Sequence, residues 1–168
     1  SAQFADWLAS RSPHGGRGLK PPPQQKKTQK LQSLPVPKNA PPPPDRNMSG
    51  GVQLEFVCRW DYRDAGGNLA GHVVRFHYPE GHPKRLQKNG RIHKEVKPQI
   101  WTEKGWIWAG LATPTPLYGA EFLGNSVLPV LVVEGEKATD AARQLIKSHT
   151  VVSWLGGGGG IKKADWSP

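Results

Sequence analysis

Cysteine is nearly absent: Cys58 stands alone, so the chain has no internal disulfide and no Cys-rich zinc site. The six histidines are scattered, and no pair stands at metal-ligand spacing. Long apolar runs are missing too. The best stretch, residues 127–133, is interrupted by Pro129 and falls far short of the roughly 18–20 residues that cross a bilayer. No charged-then-apolar secretory start opens the chain. These absences exclude a disulfide scaffold, a zinc finger and a helical membrane span. They lead to the expectation of a soluble, cytoplasmic protein with no membrane partner.

Aromatic residues are scarce in one region only. Residues 1–51 hold ten of the 17 prolines, and their only aromatics are Phe4 and Trp7. A segment so poor in large apolar side chains does not offset its own ordering entropy, which predicts a disordered Pro-rich basic linker over residues 1–51. Within it, residues 4–9 suit a short helical turn, and the runs at 21–23, 35–37 and 41–44 favour extended polyproline II. A sharper alternative is that this stretch is a proline-rich ligand for an aromatic groove.

Acidic residues are in the minority, 13 against 23 Lys and Arg, for a net charge of +10. The excess is local. Residues 1–51 carry eight basic and two acidic side chains, and residues 84–104 carry seven and two, whereas residues 111–168 balance at five and five. Positive charge concentrated in this way suits a polyanion, because phosphate neutralisation supplies most sequence-independent nucleic-acid affinity. A solvated surface with a solubilising linker explains the same charge without a partner.

From residue 52 the pattern becomes that of a sheet. Phe56, Cys58, Trp60 and Tyr62 alternate with mostly polar residues, as in a strand buried on one face. A turn cluster at 64–68 follows, and Val74, Phe76 and Tyr78 resume the alternation, so the two runs read as a hairpin. Residues 99–101 and 105–108 add two short aromatic-rich strands. The expectation is a small antiparallel, basic subdomain over residues 52–116.

The period changes over residues 117–168. Residues 117–123 suit a short helix ended by Gly124 and Asn125, and residues 127–133 read as a strand covered on both faces. Ala138, Ala141, Ala142, Leu145 and Ile146 then recur at helical spacing over residues 136–148, forming one apolar stripe. A second β-rich run at 150–154 completes a β-α-β unit with parallel strands and a right-handed crossover. The fold class expected is α+β.

Chemistry is expected where the first parallel strand meets its helix. Ligands collect outside the carboxyl ends of parallel strands, which puts Glu134 at the rim. Gly135 allows a tight turn there, and the nearby positive end of the helix dipole suits a carboxylate. Glu134 is therefore a candidate general acid or base, or a ligand of a hard ion such as Mg²⁺. The plainer account is that Glu134 and Glu136 are acids suited to a helix start. The five glycines at 156–160, followed by Lys162 and Lys163, offer backbone N–H groups and charge to a phosphate, as do Gly135 and Lys137 on a smaller scale. The spacing is not that of a Walker loop, and a flexible loop is the plainer reading.

Residues 132–142, V-V-E-G-E-K-A-T-D-A-A, resemble the first motif of the Toprim domain, shared by bacterial-type primases, topoisomerases, recombination mediators and some nucleases. More specifically, the chain is similar to the primase-like Toprim proteins of phages, plasmids and integrative elements, often joined to a helicase. The likeness extends to the hairpin around Trp60 to Phe76, the basic stretch, the Trp-Ile-Trp segment at 106–108, Pro116-Leu117-Tyr118, Val152-Ser153-Trp154 and the segment 159–166. The resemblance implies that 117–168 is the first half of a Toprim-like domain, with Glu134 as acid or base in nucleotidyl transfer. It also implies an Asp-x-Asp pair that binds Mg²⁺. No Asp-x-Asp follows Glu134 in this sequence, so the metal site is expected to be incomplete here.

The leading expectation is thus a fragment of a DNA primase, with Mg²⁺ as cofactor of the intact enzyme. Its partners would be single-stranded DNA template, nucleotides and a replicative helicase domain or subunit. Arg85, Lys88, Arg91, Lys94 and Lys97 are the candidate template-backbone contacts, and Trp101, Trp106 and Trp108 the candidate stacking residues. The rival is a non-catalytic module that binds single-stranded nucleic acid or protein on a Toprim-like scaffold.

Overall fold

The computed structural model describes residues 32–168. The expected helical turn at 4–9 and the proline run at 21–23 lie outside the described residues. Two short strands, β1 (Met48–Ser49) and β2 (Val52–Gln53), pair across Gly50 and Gly51. Both glycines take positive φ, 57° and 80°, which is what a two-residue turn matched to strand twist requires.

Four longer strands follow: β3 (Glu55–Arg63), β4 (Leu69–His77), β5 (Glu95–Thr102) and β6 (Gly105–Trp108). They form one antiparallel sheet in sequence order. The hairpin expected from alternation is present. At its turn, the Asp64 carboxylate accepts from the backbone and side-chain N–H groups of Asn68, at 2.9 to 3.2 Å.

The alternation itself needs one correction. Phe56 pairs with Phe76, yet Cys58 pairs with Arg75, so Val57 is an extra residue with no partner, a β-bulge. One inserted residue reverses the faces on either side of it. Phe56 therefore does not share a face with Cys58, Trp60 and Tyr62. It lies with Arg59, Val74 and Phe76, edge-on to the Phe76 ring at 6.2 Å.

Each face of the sheet has its own cover. On the Phe76 face, Leu54, Val74, Phe76 and Tyr78 are buried, with Val52 and Trp108 packed against them. The Pro-rich stretch expected within a free tail lies on this same face and is tied to it from Leu34 onward. Leu34 N–H donates to Trp101 O at 2.9 Å, and the carbonyls of Pro41, Pro43 and Pro44 accept from Trp106, Arg59 and Gln99. Order thus begins well before residue 52, because the tail's own carbonyls find donors on the sheet. On the other face, Tyr62, Val73 and Ile100 are buried.

The β-α-β unit consists of β7 (Val130–Glu134), α1 (Glu136–Leu145) and β8 (Thr150–Trp154). β7 and β8 are parallel, with Val132 opposite Val152 and Glu134 opposite Trp154. The far edge of β8 makes an antiparallel bridge with Tyr118, through Tyr118 N–H to Ser153 O at 2.8 Å and the reverse bond at 3.2 Å. The short helix expected at 117–123 is a single 3-10 turn, Ala120–Phe122, and Leu117, Ala120 and Val152 form a second small core. The class is α+β, as the change of period implied.

Two further expectations are overturned in this unit. β7 is not covered on both faces: Val130 and Val132 are 51% and 43% exposed. The helical stripe does not face inward either. Leu145 is 83% exposed, and Ala138 and Ala141 are exposed too, whereas Thr139 is fully buried. The reason lies in the partners. Trp60 Nε1 donates to Asp140 Oδ2 at 2.8 Å, Tyr118 OH to Asp140 Oδ1 at 2.8 Å, and Tyr62 OH to Glu136 Oε1 at 2.7 Å. Three buried or half-buried donors demand acceptors, and the acidic side of α1 supplies them. These bonds also tie the β-rich part to the β-α-β unit across the boundary expected at residue 116.

Candidate functional site

Glu134 ends β7 and is exposed at the rim where β7 and β8 present their carboxyl ends. Gly135 follows with φ 81° and ψ 159°, a conformation suited to glycine, and its carbonyl accepts from both N–H and Oγ1 of Thr139 at 3.1 Å. The turn is therefore locked by the helix it opens. The Glu134 carboxylate lies against the glycine loop, so close that a Cβ added to Gly157 would stand 3.2 Å from Oε1. Gly157 has φ 57°, and its carbonyl accepts from Trp154 Nε1 at 2.5 Å.

The glycine loop is folded rather than open. It forms two 3-10 turns, Gly157–Gly159 and Ile161–Lys163. A Cβ on Gly160 would meet the Leu155 carbonyl oxygen at 1.7 Å, so this position accepts glycine alone. The outer side of the loop, with Gly156, Gly159, Gly160 and Lys163, lines an open cavity of about 450 Å³ together with Thr113 and Thr115. Glu134 is not among the residues lining that cavity. Lys137, Lys162 and Lys163 are exposed, and none pairs with Glu134. The structure thus joins Glu134 to Gly157 but does not gather the expected phosphate-loop residues into one cradle.

A magnesium ion requires several hard oxygen ligands. At this rim Glu136 and Asp140 are already acceptors for Tyr62, Trp60 and Tyr118, which leaves Glu134. Among the described residues no three His, Cys, Asp or Glu side chains come together as a metal site. The residues present do not make a magnesium site.

Electrostatics around α1 follow from burial. Desolvation raises the Tyr62 hydroxyl far above its usual range, with the Glu136 charge adding to it, and burial does the same to Tyr118, helped by Asp140. Both are fixed donors. Burial likewise pushes the thiol of the half-buried Cys58 up, which disfavours its thiolate. Arg143 closes the far end: its Nε and Nη2 donate to Val151 O at 3.1 and 2.9 Å, and its guanidinium lies 4.9 Å from the Tyr118 and Phe122 ring centres.

The basic segment divides into bound and free cations. Arg85 donates to Glu55 at 2.7 Å and to the Tyr78 carbonyl, and Lys97 pairs with Glu95 at 3.2 Å. Both have structural work. Lys88, Arg91 and Lys94 are exposed and make no ion pair among the described residues. The tryptophans divide as well. Trp108 belongs to the core, 5.5 Å from Phe76. Trp106 is half-buried beneath the proline strap of residues 41–45, 5.4 Å from Trp101 and 4.8 Å from His72.

Sequence reading missed the polar residues under that strap: Arg59, His72 and Gln99. For His72 a signal was present, since it stands in phase with Val74, Phe76 and Tyr78; Arg59 reaches this face only through the bulge at Val57. Compared with models of protein families, with curated proteins and with solved structures, the chain matches none. Among the described residues no helix is long and apolar enough to cross a membrane.

Proposed function

We propose that this chain is part of a cytoplasmic primase-type nucleotidyltransferase that works on single-stranded DNA, alone or with a helicase. The observation that carries the reading is the position of Glu134 at the carboxyl rim of a parallel β-α-β unit, against a glycine loop. A carboxylate there takes a proton from an attacking hydroxyl or returns one to a leaving oxygen. Lys88, Arg91 and Lys94 hold the template backbone as point charges.

The test measures template-directed primer synthesis with Mg²⁺ in a polypeptide that carries this chain together with an Asp-x-Asp strand. Glu134→Gln is expected to lower the rate at least about 100-fold, the scale of a lost general acid or base. Full activity in that variant ends the assignment. A second reading, binding of single-stranded nucleic acid without catalysis, is favoured by the single unengaged carboxylate, Glu134, that the described residues place at this rim. It predicts salt-dependent DNA binding that Glu134→Gln leaves unchanged, with no synthesis under any condition.

A further inference from the structure

The proline strap and the sheet beneath it are mismatched in hydrogen bonding. Every side-chain bond between them runs one way. Trp106 Nε1 donates to Pro41 O at 2.8 Å, Arg59 Nη2 to Pro43 O at 3.1 Å, and Gln99 Nε2 to Pro44 O at 2.8 Å, while Asp45 accepts from Arg59. Proline has no N–H, so residues 41–44 return no donor. Buried polar atoms of the sheet are left without partners: Gln99 Oε1, His72 Nε2 and Arg59 Nε.

Gln99 is fully buried, and its Oε1 has no hydrogen bond although its Nε2 touches the strap. His72, its cross-strand neighbour, is 5% exposed. Its Nδ1 faces Asp61 at 3.0 Å, and its Nε2 is unpartnered. Nearly all buried polar atoms in native proteins find a partner, so two side by side indicate a ligand that offers donors as well as acceptors. The strap is also shallowly seated. Of residues 41–45 only Pro43 is even half-buried.

We propose that the sheet face under the strap is a nucleobase site, for which residues 41–45 are an exchangeable stand-in. Adenine presents an N–H donor beside a ring-nitrogen acceptor, the complement of a glutamine carboxamide. Such an edge satisfies both halves of Gln99, where the strap satisfies one. The base stacks on Trp106, already flanked by Trp101 and His72. Arg59, released from Asp45, turns to the phosphate. A proline-rich segment from elsewhere fits less well, since it brings the same acceptors and leaves the same atoms unmet. The proposal deepens the reading of this chain as a binder of single-stranded nucleic acid and rests on it.

The experiment uses the full chain labelled with 5-fluorotryptophan, its Trp106 resonance assigned by comparison with Trp106→Phe. The probes are adenosine 5′-monophosphate, purine riboside 5′-monophosphate, an eight-residue oligodeoxyadenylate and a peptide of residues 39–47. Adenosine monophosphate is expected to shift Trp106, and several-fold more tightly in Asp45→Ala, where the strap is loosened. Purine riboside monophosphate, lacking the amino donor, is expected to bind about 10–100-fold more weakly, the range of a lost bidentate base contact. The ligand change keeps the protein identical, so folding is not at issue.

No Trp106 shift with millimolar adenosine monophosphate in either protein overturns the site. So does a Trp106 shift in Asp45→Ala with the peptide alone, which makes the groove a proline-rich recognition surface. Oligonucleotide binding that leaves Trp106 unmoved refutes the base site and keeps the broader binding reading. Mononucleotide binding at Trp106 without oligonucleotide binding does the reverse.

Discussion

The inverted helix allows a sharp test, because periodicity and structure predict opposite outcomes. If the stripe of Ala138, Ala141 and Leu145 were the buried face, Leu145→Ala would cost about 2–5 kcal/mol. At 83% exposure it should instead fall within about 0.5 kcal/mol of the parent. Tyr62→Phe keeps the buried ring and removes only the hydroxyl that donates to Glu136 at 2.7 Å. A hydrogen bond to a charged acceptor contributes about 1.5–3 kcal/mol, which for a unit of this size lowers Tm by about 5–12 °C. Asp140→Ala should cost at least as much, since it strands the Trp60 indole and the Tyr118 hydroxyl together. Thermal unfolding followed by circular dichroism ranks the three. A Tyr62→Phe/Glu136→Gln cycle should show coupling of about 1 kcal/mol or more. If Leu145→Ala proves more damaging than Tyr62→Phe, α1 is turned the other way and the account of its seating is wrong.

The basic segment should separate by salt dependence. Replacing Lys88, Arg91 and Lys94 by Ala is expected to reduce the slope of log affinity against log salt for single-stranded DNA by about 2, at about 0.7 per lost phosphate contact. Arg85→Ala should leave the slope unchanged and lower Tm, because that guanidinium holds Glu55 and the Tyr78 carbonyl. Gly160→Ala should disorder the loop beside Glu134, given the 1.7 Å approach to a backbone oxygen; amide exchange at 156–163 that stays as slow as in the parent contradicts this. The His72 hydrogen bond holds the Asp61 carboxyl below its usual range, so its contribution to stability is present above about pH 4 and is lost as pH falls through the depressed value. Asp61→Asn should flatten the acid limb of a Tm-against-pH curve while leaving the region above pH 5 parallel to the parent.

Much of the backbone was legible in the chain. Alternation found the β3–β4 hairpin, and the apolar run before a helical period found the parallel unit, because both are local patterns. The bulge at Val57 was not, since an extra residue in a strand leaves no mark when polar and apolar letters still alternate around it. The helix misled for a different reason. Ala and Leu at helical spacing state which side is apolar, but the choice of inward side was made by Trp60, Tyr62 and Tyr118, whose buried N–H and O–H groups sit far away in sequence. The candidate site shows the same limit. Glu134 and its glycine turn follow from adjacent residues, whereas the groove of Arg59, His72 and Gln99 is assembled from three strands and closed by a fourth segment.

The unpaired residue in β3 lets one nine-residue strand serve two interiors, lending Phe56 to the first and Trp60 and Tyr62 to the second. Were Val57 drawn into regular pairing with β4, Phe56 would fall in phase with Trp60 and Tyr62, and the strand would have to choose. Either the phenyl ring leaves the company of Phe76, or the indole and phenol turn from the acids that anchor the helix. The sheet's capacity to hold a proline cover on one side and a helix on the other hangs on that single irregular step.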